Sequence, residues 1–322
     1  MSSAGRPTDA SRRAFCAFTA SALAVPFTGA HAASSTAPSN ARSNTPSNAP
    51  STSARPRPRA LEVGVCASAE RAEVLARAGA DFVEIACQRE LAGEWSDEVR
   101  ARRLAALTAL AVPARCANAF LPGRLACTGP DADHDAVLAE AERLFERAAA
   151  IGLDTITFGS AGARTPPDDF PRADAELQFV ALLARLAAPA ERHGVIVCLE
   201  PLRRAETPFV NRVSEGLRLV RAVDHPRVRL TADLFHMAEE EEDASVLTEA
   251  APFVHHLHAA EREGRAAPGT RGDDFGRAFA LLLDAGFCGR VSVECRFTDF
   301  EEQAPRAIAV LREQLARAGG ER

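Results

Sequence analysis

From residue 61 onward the apolar residues follow two alternating rhythms. Short apolar runs at 61–66, 82–86, 112–117, 155–159, 195–199, 228–232, 254–258 and 291–295 are rich in Val, Ile and Leu and read as strands. Between them, 69–78, 135–149, 173–193 and 214–223 repeat apolar positions at three- and four-residue spacing, which predicts amphipathic helices. Gly79, Gly152, Gly194 and Gly286 each stand between a helical stretch and the next strand, where a residue free to turn left-handed ends a helix. Near-continuous apolar strands separated by helices imply parallel pairing with both sheet faces covered. Eight such units over about 260 residues predict an α/β fold, the (β/α)8 TIM barrel. No G-x-G-x-x-G follows the first strand, so a dinucleotide-binding open sheet is disfavoured.

The chain before the barrel has another character. Arg12-Arg13 precedes an apolar run from Phe15 to about Phe27, and Ala30-His31-Ala32 offers a small–x–small cleavage pattern. Residues 1–32 therefore read as a twin-arginine export signal, which predicts a periplasmic or secreted protein. The run is too short and too broken by polar residues for a stable membrane span. Residues 33–59 are rich in Ser, Pro, Ala, Asn and Thr without periodicity and read as a disordered linker. The predicted catalytic domain is 60–322.

Composition then removes whole classes of chemistry. The chain has no lysine and no tyrosine, so all 38 basic residues are arginines. Schiff-base enzymes, pyridoxal-phosphate enzymes and Walker-type phosphate loops all need the missing amine. Residues 1–59 hold seven arginines and one aspartate, which leaves 31 basic and 43 acidic groups in 60–322, a net −12. Such a domain repels a phosphate backbone, so no nucleic-acid partner is expected. Seven cysteines remain beyond the signal. An odd, unpatterned set is no disulfide framework, and Cys66, Cys116 and Cys198 read as small core residues.

Active sites of such barrels lie at the carboxyl ends of the strands, and there the chain places titratable groups in a row. Strand 5 ends in Glu200, strand 6 in Asp233 with His236 behind it, strand 7 in His256 and His258, and strand 8 in Glu294. One acid at a strand end more often caps a helix or joins a surface ion pair. Four such groups on four consecutive strand ends point to a metal site. Three carboxylates and one imidazole suit Mn²⁺ above all, with Mg²⁺ or Co²⁺ as alternatives.

These segments resemble the sugar-phosphate isomerase/epimerase family of xylose-isomerase-like barrels, which includes ketose 3-epimerases, hydroxypyruvate isomerases and inosose dehydratases. The resemblance rests on Thr157-Phe158-Gly159-Ser160, Leu199-Glu200-Pro201-Leu202, Asp233-Leu234-Phe235-His236-Met237, His256-Leu257-His258-Ala259-Ala260-Glu261 and Val291-Ser292-Val293-Glu294. It implies that Glu200, Asp233, His258 and Glu294 hold a divalent ion, and that Glu200 and Glu294 form the acid/base pair. It also implies that His236, Glu206 and Arg265 bind substrate; Arg265 falls one position later than in the ketose 3-epimerases. The activity implied is isomerisation or epimerisation of a small ketose, polyol-derived ketone or hydroxypyruvate-like compound, by proton abstraction beside a carbonyl through an enediolate. Dimers are common among the look-alikes. A dehydratase on the same site, a non-catalytic periplasmic sugar-binding protein and an endonuclease IV-like repair enzyme are the rival readings. The last wants more histidines and a basic face.

Secondary features are read more plainly. Gly159-Ser160-Ala161-Gly162 is a flexible loop or a set of amides for an anion, and Arg271, in the Pro268-Gly269-Thr270-Arg271-Gly272 loop after strand 7 where barrels often bind phosphate, is a solvated loop residue before it is a phosphate partner. Glu84 is a rim-side partner of Arg265 or of another group. Residues 239–243 read as the solvated start of a helix, Trp95 as pocket wall or ordinary packing, and His255 as pointing outward toward the helices.

Overall fold

The computed structural model describes residues 61–320; the expected signal at 1–32 and linker at 33–59 lie outside these residues. Its strands are β1 (Glu62–Cys66), β2 (Phe82–Ala86), β3 (Ala114–Asn118), β4 (Thr155–Phe158), β5 (Ile196–Leu199), β6 (Val228–Asp233), β7 (Val254–Ala259) and β8 (Arg290–Val293). Each pairs in parallel with the next, and β8 closes onto β1. Helices such as His134–Ala150, Arg172–Arg192, Val213–Val223, Gly276–Asp284 and Phe300–Gly320 connect the strands. Gly79, Gly152, Gly194 and Gly286 have φ of 79°, 73°, 70° and 85°, so each supplies the left-handed turn that a side chain would strain.

Strand ends shift by a residue or two, for reasons that bear on the site. β3 starts after Pro113, which cannot donate to a ladder, and runs on to Asn118. β5 and β8 stop one residue short of their acids, yet Glu200 N–H still donates to Phe158 O (3.2 Å) and Glu294 N–H to Ala259 O (3.1 Å). Both carboxylates thus stand on backbone that the sheet holds in place.

The lumen is polar where such barrels usually stack branched aliphatics. Thr157 and Thr231 hydroxyls meet at 3.0 Å, and Glu84 reaches across to Ser292 at 2.6 Å. At the amino-terminal floor, Arg290 Nε lies 2.8 Å from Glu62 and its Nη2 3.0 Å from Asp154. His255 turns to this floor, with Nε2 3.3 Å from Thr155 Oγ1, and not outward to the helices as its place in the alternation predicts. Apolar residues such as Val63, Val83, Ile85, Ile156 and Val197 are fully buried in the core. There Phe120, Phe158, Phe179 and Phe209 make a chain of edge contacts 5.3 to 5.6 Å between centroids.

Residues 239–243 do not begin a helix. The helix here is Leu234–Glu239, and its first turn is capped by Asp233 Oδ1, which accepts the N–H groups of Phe235 (2.7 Å) and His236 (3.2 Å). After it, Glu240 accepts Arg204 N–H at 2.6 Å, and Glu242 accepts the N–H groups of Val213 (2.7 Å) and Ser214 (3.1 Å). That carboxylate caps helix Val213–Val223, offsetting its orphan donors and dipole. Trp95 packs under Arg147 and Arg103, whose Cζ atoms lie 3.8 and 4.6 Å from its ring. No helix among the described residues is long and apolar enough to cross a membrane.

Candidate metal centre and active site

Glu200, Asp233, His258 and Glu294, from the ends of β5, β6, β7 and β8, converge so that one donor atom from each lies within 4.8 Å of the others. His258 Nδ1 is 2.8 Å from Glu200 Oε1 and 3.1 Å from Glu294 Oε2. Asp233 divides its labour: Oδ1 caps the following helix, and Oδ2 faces the cluster. Gly159 is needed at the end of β4, because a Cβ there would run into the Glu200 carboxylate. Three carboxylates turned inward on one imidazole are a donor set that a divalent cation fits.

Glu84 decides how His258 presents itself. Its Oε1 lies 3.0 Å from His258 Nε2, and its Oε2 lies 2.7 Å from His256 Nε2. An ionised carboxylate only accepts, so Nε2–H of His258 donates to it and Nδ1 is left to bind a metal, the usual carboxylate–histidine arrangement. Burial would raise the Glu84 carboxyl, but His258 and His256 outweigh it and hold it well below the usual range. Burial would likewise strip the His258 proton, yet Glu84, Glu294 and Glu200 hold its pKa well above the ordinary value. An incoming cation therefore displaces a proton at Nδ1. Glu200 is raised, chiefly by burial. For Glu294 burial is outweighed by His258 and Arg265, which hold it at about 2.

The remaining expected residues surround this cluster. Arg265 Nη2 sits on Glu294 Oε2 and 3.1 Å from Asp233 Oδ2, and Nη1 is 3.7 Å from Glu206. Its loop takes two consecutive left-handed residues, Gly264 at φ 74° and Arg265 at φ 53°, and the guanidinium reaches the site. His236 is buried; its Nδ1 accepts Arg203 N–H at 3.3 Å, so its proton is on Nε2, 3.4 Å from Asp233 Oδ2. Glu206 stands at the mouth, 3.0 Å from Arg203 Nε.

Sequence reasoning missed two contributors. Asn118 Nδ2 donates to Glu294 Oε1 at 2.9 Å, and the only signal was that β3 might extend one residue further. Cys66 is no plain core residue: it joins His258 and Glu294 in a second set of possible ligands, although burial keeps its thiol well above the usual range and neutral. Glu84, expected to partner Arg265 or another group, takes the second course and holds the two histidines. Two depressions flank the cluster. One of about 230 Å³ is lined by Cys66, Ser68, Glu84 and Asn118. The other, about 530 Å³, lies over Arg203, Phe235 and Arg265. Ser160, at φ 38°, uses its hydroxyl to accept Leu121 N–H (3.0 Å), so the loop after β4 is spent on its own structure. The seven described cysteines form no disulfide.

A profile of the xylose isomerase-like TIM barrel family matches residues 72–314. D-psicose 3-epimerase of Ruminiclostridium cellulolyticum is 36% identical over 110 residues, 34% of this chain and 37% of that protein. D-psicose 3-epimerase of Agrobacterium fabrum is 28% identical over 236 residues, 69% and 77% of the two chains. The match thus spans well under half the length of the first relative. Among solved structures, a D-psicose 3-epimerase in the presence of D-fructose superposes with a TM-score of 0.70 at 22% identity, over 79% of this chain and 99% of the other. The IOLI protein with a bound zinc atom superposes with 0.62 at 18% identity, over 81% and 99%. These structural likenesses concern the fold.

Proposed function

Because the chain belongs to the xylose isomerase-like TIM barrel family, we propose that it is a divalent-metal-dependent epimerase of a small ketose, with Mn²⁺ as the favoured ion. The observation that carries this reading is the position of two carboxylates from non-adjacent strands, Glu200 on β5 and Glu294 on β8, both within 3.1 Å of one imidazole nitrogen. Inversion at carbon needs two such groups, one to take the proton and one to return it. Relatives along the sequence are epimerases of ketoses, which supports the same class.

Glu200, Asp233, His258 and Glu294 would hold the ion, which supplies Lewis-acid polarisation of the substrate carbonyl and neighbouring hydroxyl. One glutamate takes the proton from the carbon beside the carbonyl, leaving an enediolate whose charge rests on oxygen. The glutamate on the other face returns a proton to the same carbon, and the configuration inverts. Arg265 stays protonated, because Glu294 and Asp233 outweigh its burial, and its fixed charge sits where the oxyanion develops. His236 donates from Nε2 to a substrate hydroxyl. Glu206 accepts from the terminal hydroxyls. Phe235, held under the guanidinium of Arg265 at 4.7 Å, walls the site from water.

Solvent exchange tests this without knowledge of the product. The manganese-loaded protein, incubated in D2O with ketoses, inositol ketones and hydroxypyruvate, is expected to place deuterium at one carbon of its substrate. EDTA and Glu294→Gln are expected to abolish the uptake. Exchange that survives both would sink the proposal, and loss of a water instead would reassign the site to a dehydratase.

A further inference from the structure

The larger cavity at the mouth carries positive charge that the chemistry above does not use. Arg203, Arg262, Arg265 and Arg296 line it, from the loops after β5, β7 and β8, against Glu239, Glu263 and Asp273. Four guanidinia thus gather at one face of the mouth of a domain of strongly negative net charge, with Glu206, Glu241, Asp233 and Glu294 beside them as well. Most of these charges are committed. Arg265 is held by Glu294 and Asp233. Arg203 lies 3.0 Å from Glu239 and 3.0 Å from Glu206. Asp273 accepts Arg262 N–H at 2.7 Å, and Glu263 is 3.3 Å from Arg271. Arg262 itself has only long pairs, 3.5 Å to Glu239 and 3.6 Å to Glu241. Arg296 has no carboxylate partner among the described residues. Its backbone N–H donates to Arg265 O at 2.8 Å, so this unpaired cation is tied to the loop that carries the active-site arginine.

The position where barrels commonly receive a phosphate, the loop after β7, is already filled. The fully buried Glu261 accepts the N–H groups of Gly269 (2.7 Å), Gly272 (3.0 Å) and Arg271. An internal carboxylate thus takes the amides that a phosphate would want. What remains is one exposed guanidinium, that of Arg296, without a carboxylate partner among the described residues, which one negative charge on the ligand would match.

We propose that the substrate carries a carboxylate at the end remote from the reacting carbon, seated by Arg296 with Arg262, so that the ligand class is a keto-sugar acid. This rests on the reading of the mouth as a sugar site. Charge-assisted pairing to an arginine fork favours such a ligand over its neutral counterpart, and the exposure of Arg296 makes the preference salt-sensitive.

The test is calorimetric binding to the full manganese-loaded chain of D-fructose, its C6 carboxylate and its C6 phosphate ester. The carboxylate is expected to bind about tenfold more tightly than the neutral sugar at low salt. Arg296→Gln should bring that ratio near one, Arg262→Gln should lower it in part, and Arg296→Lys should keep most of it. A ratio near one in the unaltered protein, or one unmoved by both glutamine variants, overturns the proposal. A preference for the phosphate ester over the carboxylate overturns it too. Deuterium uptake in the same samples reports on the epimerase reading separately: an Arg296-dependent preference without exchange keeps the carboxylate site and removes the epimerase.

Discussion

Glu84 illustrates how much one buried residue sets at this site. It accepts from His258, His256 and Ser292 together. Glu84→Gln keeps the shape but turns one acceptor into a donor, so His258 loses the partner that reserves Nδ1 for the metal. Metal affinity measured by competition with a chelator is expected to fall about ten- to hundredfold, while the secondary structure seen by circular dichroism stays as it was. Unchanged affinity would mean that the carboxylate only fills the lumen. From the sequence Glu84 was legible as a rim-side acid; its partners were not, because they lie on strands far along the chain.

At the scale of the strand, the two ends of β7 do different work. His258 serves the metal cluster at the carboxyl end, and His255 sits on the floor between Thr155 and the Arg290–Asp154 pair. Burial first, and the neighbouring His256 second, push the His255 pKa down to about 4. The unfolded chain regains the ordinary value near ~6.5. Between those limits the unfolded state binds a proton that the folded state refuses, so stability falls as pH drops from about 6.5 to about 4. The shift corresponds to about 3 kcal/mol at most. Urea unfolding across that window should show His255→Asn losing part of the slope of the unaltered protein. Parallel curves would dismiss the effect.

We propose that residues 1–32 direct the folded barrel through the twin-arginine route, on the strength of Arg12-Arg13 before an apolar run. A protein that crosses folded can acquire Mn²⁺ before it meets metals higher in the Irving–Williams order, which suits an oxygen-rich ligand set. Replacing Arg12 and Arg13 by lysine should leave the protein in the cytoplasm in a fractionation experiment. Unimpeded export would refute the route.

The sequence alone determined the barrel, because each βα unit announces itself locally. Apolar runs such as 82–86, helical spacing such as 135–149 and a glycine at four of the turns depend only on near neighbours in the chain. It also determined that Glu200, Asp233, His258 and Glu294 share one rim, since barrel topology brings successive strand ends together. Only the tertiary structure decided the rest. It set which oxygen of Asp233 is spent on a cap, which nitrogen of His258 faces Glu200 and Glu294, and that Asn118 holds Glu294. It set Glu240 on the Arg204 loop and Glu242 on a helix end, sent His255 to the floor and left Arg296 without a carboxylate partner among the described residues. Hydrogen bonds and ion pairs form between groups distant in sequence, and their energies depend on distances of an ångström. Periodicity names the face a residue stands on; the closed barrel names the partner waiting there.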